Sequence, residues 1–219
     1  MSANGESNLA IVGAGLVGSL LALSLARRGH HVTVYERRSD PRKVGDASGR
    51  SINLALSERG WRALEMAGAL EAVKRIALPV KARCMHDQAG ELTYQPYGLP
   101  GRGRFGNDEC IYSVARGPLN RILLEEAEAT GRVEVRFDHP LRDFNEVESA
   151  VELEFADGSR QQHDRVFGTD GAFSAVRGRM MRTDRFDFSQ SYLAHGYKEV
   201  AMPPTAEGAF AIDPEALHI

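Results

Sequence analysis

The stretch that decides the fold runs from Leu9 to Arg38 and opens with Leu9-Ala10-Ile11-Val12-Gly13-Ala14-Gly15-Leu16-Val17-Gly18. Its first four residues are apolar, as in a buried strand, and residues with helical spacing follow the glycines up to Arg28. A short turn then leads into a second apolar run, Val32-Thr33-Val34-Tyr35, which Glu36 closes. This order of strand, glycine turn, helix, strand and acidic residue predicts a βαβ unit that binds a dinucleotide.

The glycines of this turn have separate predicted roles. Gly13 allows the tight turn, Gly15 lets a pyrophosphate approach the backbone, and Gly18 lets the helix pack close to the sheet. The first turn of the helix then directs its free N–H groups and positive dipole end at the phosphates. Glu36 is placed to accept hydrogen bonds from a ribose diol.

Composition and charge argue against several other classes of function. The 219 residues carry a formal net charge of −3, which gives no reason to expect nucleic acid or an anionic membrane as a partner. No apolar run reaches membrane-spanning length, and the two cysteines, Cys84 and Cys110, suit a reducing, cytoplasmic compartment. The seven histidines share no ligand spacing with cysteines or carboxylates, and no nucleophile–base set can be argued. We therefore expect no metal site, no catalytic side chain, and chemistry done by a bound cofactor.

The remainder of the chain alternates between nucleotide-domain and β-rich segments. A β-hairpin is predicted from Val80 to Tyr97 and a helix from Gly117 to Thr130. A β-meander follows, with strands expected at 141–144, 150–155 and 161–167, and it leads back to the main sheet before Gly168-Thr169-Asp170-Gly171. From Phe186 onward the pattern again favours strands, at 191–200 and 208–212.

This alternation predicts an α/β fold in which a Rossmann-like nucleotide-binding domain has a β-rich second domain threaded through it. The predicted division is nucleotide-binding domain at 1–79 and 113–185, substrate-domain insertion at 80–112, and incomplete substrate-domain strands at 186–219. Residues 213–216 are typical of a turn, and Leu217-His218-Ile219 looks like the start of a returning strand. Because the pattern stops there, we expect a chain that is truncated at its C-terminus.

Several runs of sequence resemble one enzyme family. Besides the glycine turn, they are Gly49-Arg50-Ser51-Ile52-Asn53-Leu54-Ala55-Leu56-Ser57, Gln95-Pro96-Tyr97-Gly98, the segment Gly168–Arg177, and Tyr192-Leu193-Ala194-His195-Gly196-Tyr197-Lys198-Glu199. They are similar to the flavin-dependent aromatic hydroxylases of the p-hydroxybenzoate hydroxylase type, and within that family to members that act on L-kynurenine. The resemblance implies FAD and NADPH as cofactors and O2 as co-substrate, with hydroxylation of L-kynurenine to 3-hydroxykynurenine in tryptophan degradation.

The resemblance also implies a set of cofactor-binding residues. They are Gly13, Gly15, Val17, Gly18, Tyr35, Glu36, Arg37, Arg38, Ala55, Arg116, Leu141, Asp170 and Ala175. The run from Tyr35 to Arg38 would hold the adenosine ribose and the adenine edge, which Leu141 flanks. Arg116 would contact phosphate or ribitol, for which a forked guanidinium is suited. Asp170 would serve the ribose region, and a part in NADPH docking is left open.

Two residues of the predicted hairpin are implied to bind the substrate. Arg83 would hold the amino-acid carboxylate as a bidentate fork, and Tyr97 would donate its hydroxyl. Simpler alternatives stay open, since Arg83 can be a solvated surface arginine and Tyr97 can pack a turn beside Pro96. Asp170 can likewise cap the helix that follows it.

Three hypotheses of function remain at this point. The first is the FAD- and NADPH-dependent hydroxylase, of which another aromatic hydroxylase is a variant. The second is an NAD(P)-dependent oxidoreductase on the same βαβ unit, and the third is a flavin-fold binding module without activity. Because the family has a second half that this sequence lacks, we expect the 219-residue chain alone to bind FAD weakly and to turn over poorly or not at all.

Overall fold

A four-stranded parallel sheet forms the centre of the molecule. The computed structural model describes residues 7–44, 52–196 and 202–219. The sheet has the strand order β12-β1-β2-β8, and its strands are β1 (Asn8–Val12), β2 (His31–Tyr35), β8 (Val133–Arg136) and β12 (Arg165–Gly168). All three neighbouring pairs are parallel. The predicted βαβ unit is therefore present, because β1 and β2 are the two apolar runs on either side of the glycine turn.

Helices cover one face of this sheet. The longest are α1 (Leu16–Ala26) and α5 (Arg116–Glu128), and shorter helices are α2 (Pro41–Val44), α3 (Glu58–Met66) and α4 (Leu70–Lys74). Leu9 and Ile11 of β1 lie in the core beneath them. Trp61 of α3 is fully buried there, with its ring edge-on to Tyr112 and Phe105 at 5.1 and 5.0 Å between centroids. Such aromatic pairs add to the hydrophobic effect of burial.

A β-meander covers the opposite face. Its strands are β9 (Leu141–Val147), β10 (Ala150–Phe155) and β11 (Arg160–His163), joined in the order β11-β10-β9, and the short helix α6 (Ala175–Met180) lies beside β9. Ala10 and Val12 of β1 pack here against Leu153 and Phe155. Successive residues of β1 thus enter two different cores, as expected for a parallel strand that is buried on both faces.

Two small sheets complete the described structure. The first has the order β3-β7-β4 and consists of β3 (Asn53–Leu56), β4 (Leu78–Val80) and β7 (Ile111–Ala115). The second has the order β13-β5-β6 and consists of β5 (Ala82–His86), β6 (Leu92–Pro96) and β13 (Ala216–His218). The predicted hairpin is confirmed as β5 and β6, and the last strand of the chain pairs with it in parallel.

Three predictions of strands were wrong in detail. Residues 191–196 and 208–212 are not strands, because neither segment meets a sheet edge among the described residues. Their side chains are correspondingly exposed, Tyr192 to 96% and Phe210 to 71%. The other part of the first prediction, 197–200, lies outside the described residues. The strand predicted at 161–167 is divided at Asp164, because its backbone N–H and carboxylate both bond to Asn8 at the start of β1.

The described part of the chain contains no helix that is both long and apolar enough to span a bilayer.

Candidate functional site

The glycine turn between β1 and α1 is fixed by close backbone packing. Gly13 donates its N–H to the Tyr35 carbonyl at 2.7 Å and has a φ of +104°, which favours glycine. A Cβ at Gly13 would lie 2.7 Å from the Thr169 carbonyl oxygen, and one at Gly18 would lie 1.9 Å from the Gly13 carbonyl oxygen. Neither position has room for a side chain, so both glycines serve the packing of the turn.

Gly15 differs from the other two glycines, because a Cβ there would meet no atom within 4 Å. It is the N-cap residue of α1, no side chain caps the helix, and the first turn contains no acidic residue. Val17, in that first turn, is 68% exposed. Open space in front of an uncapped helix N-terminus fits the pyrophosphate of a dinucleotide, which accepts hydrogen bonds from the backbone N–H groups.

The acidic residue of the fingerprint lies beside this turn. Glu36 accepts the Ala14 N–H on Oε2 at 2.9 Å and the Arg38 N–H on Oε1 at 3.0 Å. Each carboxylate oxygen can accept a second hydrogen bond, so the group remains able to bind a ribose diol. Arg37 and Arg38 are exposed next to it.

Tyr35 is placed differently from the other residues of this run. Its side chain is 1% exposed, its hydroxyl lies 2.9 Å from His163 Nε2, and its ring lies 4.5 Å from that of Phe155. Burial raises the pKa of the Tyr35 phenol and lowers the pKa of His163. Leu141 packs against the same core. The Tyr35 side chain is thus buried in this core, and its backbone carbonyl is the group that holds Gly13.

Asp170 caps the N-terminus of helix α6 together with the N-cap residue Ser174, as the alternative interpretation predicted. Its Oδ2 accepts the Ala175 N–H at 2.6 Å, and its Oδ1 accepts the Ser174 hydroxyl at 2.5 Å. Ala175 is exposed at the first position of the helix. Because a Cβ at Gly13 would come within 2.8 Å of the Asp170 Cα, this cap lies directly against the glycine turn.

Three polar residues that were not predicted donate hydrogen bonds to backbone carbonyls of the glycine turn. Thr169 donates its hydroxyl to the Val12 and Gly13 carbonyls at 3.0 and 2.8 Å. Ser19 is fully buried and donates to the Gly15 carbonyl at 2.9 Å, while Asn120 donates its amide to the Ala14 carbonyl at 3.0 Å. Thr169 was visible within the Gly-Thr-Asp-Gly motif, but no local signal indicates Asn120, which lies 106 residues from its partner.

Ala55 lies in the sheet β3-β7-β4, and Arg116 directly follows its strand β7. Ala55 lies exposed on β3, opposite Ser113 of β7. Arg116 begins α5 directly after β7, is exposed, and donates its backbone N–H to the Ile52 carbonyl at 3.1 Å. Arg116 thus lies one helical turn before Asn120, whose amide donates to the Ala14 carbonyl of the glycine turn.

The two predicted substrate residues lie together. Arg83 is on β5, and Tyr97 follows β6, with the Arg83 guanidinium carbon 5.3 Å from the centre of the Tyr97 ring. The Tyr97 N–H bonds to the Lys81 carbonyl at 2.9 Å, which fixes the ring beside the hairpin. Stacking on a ring orients a guanidinium and leaves its edge free to fork onto a carboxylate.

One cluster of possible metal ligands was not predicted from ligand spacing in the sequence. Cys84, His86 and His218 each offer a ligand atom, and these atoms all lie within 4.8 Å of one another. Sequence spacing gave no sign of the group, because His218 is 132 residues from His86 and reaches it only through the pairing of β13 with β5.

Comparison with known proteins agrees with this geometry. Residues 6–199 match the family described as FAD binding domain. Several curated relatives are named kynurenine 3-monooxygenase. One from Flavobacterium psychrophilum is 44% identical over 98% of this chain and 46% of the relative. One from Anopheles gambiae is 44% identical over 97% of this chain and 43% of the relative. The chain spans about half the length of the curated relatives it matches.

Solved structures share the fold. The p-nitrophenol 4-monooxygenase PnpA from Pseudomonas putida has a TM-score of 0.66 at 24% identity, covering 80% of this chain and 43% of that one. PqsL from P. aeruginosa in complex with 2-aminobenzoylacetate has a TM-score of 0.63 at 25% identity, covering 85% of this chain and 48% of that one. The prediction of an α/β, Rossmann-like fold is confirmed, and the flavin is favoured over NAD(P) as the dinucleotide at the glycine turn. The chain belongs to the FAD binding domain family.

Proposed function

We propose that this chain carries the FAD site and part of the substrate site of an FAD- and NADPH-dependent monooxygenase that hydroxylates L-kynurenine to 3-hydroxykynurenine. The observation that carries the proposal is the similarity to relatives named kynurenine 3-monooxygenase, 44% identical over 98% of the chain. The position of Arg83 beside Tyr97 gives it a geometric basis, because this pair suits the carboxylate of an amino acid.

In this proposal FAD binds across the glycine turn. Gly15 and the first turn of α1 would hold the pyrophosphate, and the free lone pairs of Glu36 would accept hydrogen bonds from the ribose hydroxyls. The other proposed contacts on the adenosine and flavin sides are Gly13, Val17, Gly18, Tyr35, Arg37, Arg38, Ala55, Arg116, Leu141, Asp170 and Ala175. Bound FAD would supply, together with NADPH, the chemistry that activates O2.

The chain's own residues bind and orient the substrate. Arg83 forks onto the carboxylate and Tyr97 donates its hydroxyl to the same group, which holds the amino-acid end of the substrate at the hairpin. The amino group of the substrate activates its own ring, so no strongly basic side chain is required. The structural relative PqsL was crystallised in complex with 2-aminobenzoylacetate, which, like L-kynurenine, joins a 2-aminobenzoyl group to a carboxylate.

The division into domains is part of the same proposal. Residues 1–79 and 113–185 form the FAD-binding domain, and 80–112 and 186–219 contribute to the substrate domain. The pairing of β13 with β5 supports this division, because it joins the inserted hairpin to the end of the chain. A reducing, cytoplasmic location is also proposed, on the basis that Cys84 and Cys110 are both free thiols.

The test is an assay of NADPH oxidation with and without L-kynurenine, using the polypeptide at its full natural length and measuring 3-hydroxykynurenine by chromatography. Arg83→Ala should raise the KM for L-kynurenine about 10- to 100-fold, since a charge-assisted hydrogen-bonded pair contributes about 1.5–3 kcal/mol. Arg142→Ala is the matched control, because Arg142 is an exposed arginine that pairs with Glu154 on the β-meander.

Two results would count against the proposal. NADPH oxidation that is indifferent to L-kynurenine would exclude it as substrate, and equal KM values for Arg83→Ala and Arg142→Ala would exclude the substrate role of Arg83. The 219-residue chain by itself is expected to bind FAD weakly and to form little or no 3-hydroxykynurenine. Flavin fluorescence quenching and product analysis on that chain measure these two expectations directly.

A further inference from the structure

Three metal-ligating side chains meet where the last strand pairs with the inserted hairpin. The Cys84 Sγ lies 3.9 Å from His86 Nε2, and His86 Nε2 lies 2.8 Å from His218 Nδ1. We propose that Cys84, His86 and His218 form a binding site for Zn²⁺ or an ion of similar ligand preference, and that the bound ion fastens β13 to β5. This site is independent of the proposed hydroxylase function.

The backbone ladder holds the three side chains in place. Cys84 and His86 are alternate residues of β5 and therefore share one face of the sheet, and His218 lies opposite Cys84 in the register. The Ile219 N–H donates to the Cys84 carbonyl and the His86 N–H donates to the Ile219 carbonyl, both at 2.9 Å. The cluster is thus built by main-chain hydrogen bonds before any ion is considered.

The orientation of His218 is that of a metal ligand. Its Nε2 lies 2.9 Å from the Asp213 carbonyl oxygen. Because a carbonyl oxygen only accepts, Nε2 carries the proton, and the unprotonated Nδ1 faces His86 and Cys84. Metal-binding histidines typically donate their other N–H to a carbonyl or carboxylate in this way, which fixes both the tautomer and the ring.

The distances are close to those that a tetrahedral ion requires. Zn–N bonds of about 2.0–2.1 Å and Zn–S bonds of about 2.3 Å place two nitrogen ligands roughly 3.4 Å apart, and nitrogen and sulfur roughly 3.6 Å apart. The observed separations are 2.8 and 3.9 Å. Without an ion, the protonated His86 Nε2 donates a hydrogen bond to His218 Nδ1. An ion would replace the proton of this hydrogen bond, and the two rings would move only slightly.

The chemistry of the ligands selects the ion. One thiolate and two imidazoles favour Zn²⁺ and similar ions over Mg²⁺ or Ca²⁺, which prefer oxygen ligands. Cys84 is fully buried, whereas His86 is exposed, so water can enter as the fourth ligand from the side of His86.

The site is separate from the proposed substrate pair. Arg83 precedes Cys84 on β5, so the two side chains emerge on opposite faces of the small sheet. An ion on the Cys84 face would strengthen a pairing that otherwise depends on the short strand β13, the backbone bonds of Ile219 and the ion pair between Lys81 and Glu215. The inferred role is therefore structural: the ion secures the strand that carries Arg83 without touching the substrate.

The experiment titrates the 219-residue chain with Co²⁺, then displaces the Co²⁺ with Zn²⁺ to obtain the Zn²⁺ affinity. Ligation by Cys84 should produce strong sulfur-to-cobalt charge-transfer absorption, which Cys84→Ser abolishes. His218→Gln, a change on the surface that spares the core, should weaken Zn²⁺ binding at least about tenfold, by analogy with the losses seen when metal sites are perturbed. Zn²⁺ should raise the thermal midpoint of the unmodified chain but not that of His218→Gln.

Cys110→Ser and His195→Gln are the controls, because they remove a thiol and an imidazole outside the cluster. Both should behave like the unmodified chain. If Co²⁺ gives no charge-transfer band, or if the band is lost in Cys110→Ser and kept in Cys84→Ser, the assignment is wrong. Equal Zn²⁺ affinity in His218→Gln and His195→Gln would show adventitious surface binding only and would also overturn it.

Discussion

Alanine substitutions at Gly15 and Gly18 should separate the cofactor role of the glycine turn from its structural role. A Cβ at Gly18 would lie 1.9 Å from the Gly13 carbonyl oxygen and 2.7 Å from the Thr169 hydroxyl. The first of these atoms is backbone and cannot rotate away, so α1 must move off the sheet. Overpacking of this kind costs about 3 kcal/mol. With a urea m-value of about 2 kcal/mol per molar, the unfolding midpoint of Gly18→Ala should fall by about 1.5 M.

Gly15→Ala should have the opposite profile. Its Cβ would meet no protein atom within 4 Å, and its φ of −72° is allowed for alanine. The loss of stability should stay below about 1 kcal/mol, the scale of a change at a helix N-cap. The methyl group would, however, occupy the space into which the FAD pyrophosphate fits. We expect the dissociation constant for FAD to rise at least about tenfold, which corresponds to about 1.4 kcal/mol.

The assay pairs urea unfolding, followed by far-UV circular dichroism, with FAD titration followed by flavin fluorescence. The two variants control for each other, since each should change one readout more than the other. If Gly18→Ala unfolds at the same urea concentration as the unmodified chain, the close packing of α1 on the turn is refuted. If Gly15→Ala binds FAD as tightly as the unmodified chain, the pyrophosphate does not lie at Gly15.

Three further predictions concern residues around the turn and the second core. Burial lowers the pKa of His163 below its ordinary 6.5, so the unfolded chain takes up the proton at a higher pH than the folded chain does. The free energy of unfolding should therefore fall as the pH drops below about 6.5. His163→Gln should flatten this dependence in urea unfolding measured between pH 5 and about 8. Asp170→Ala should cost about 1 kcal/mol through loss of the α6 cap, with Asp170→Asn losing less, and equal unfolding midpoints for the two would contradict the capping role. Asn120→Ala should lower stability by about 1 kcal/mol and weaken FAD binding as well, because the Ala14 carbonyl loses the Asn120 amide and keeps the Ser19 hydroxyl, at 3.1 Å, as its donor; an unchanged FAD titration would argue against a positioning role.

The parts of the fold that are local in sequence could be predicted from it. The βαβ unit depends on residues that are neighbours in the chain, and glycine at 13 and 18 reflects backbone contacts that any such unit needs. The hairpin of β5 and β6 was predictable for the same reason, because its turn at 87–90 joins adjacent strands. In these places local chemistry and the final fold agree.

Burial of Tyr35 could not be predicted in this way. As the last residue of a strand followed by Glu36, Tyr35 was expected at the adenosine. In the structure both faces of the parallel sheet are covered, so the direction in which Tyr35 points is decided by Phe155 and His163 of the meander, more than a hundred residues later. Asn120 and the cluster of Cys84 with His218 escaped prediction for the same reason, since their partners are brought to them only by tertiary pairing.

The two proposed binding regions differ in how firmly the described structure holds them. The glycine turn is held from three directions, by the Tyr35 carbonyl on β2, by Thr169 after β12 and by Asn120 on α5, and it lies between two hydrophobic cores. Such a turn is ordered before the cofactor arrives, so little binding energy is spent on arranging it. Arg83 and Tyr97, in contrast, lie on a three-stranded sheet whose strand β6 is exposed along its whole length. The recognition of substrate should therefore depend more than that of FAD on whatever secures this small sheet, and a metal ion at β13 would act at that place.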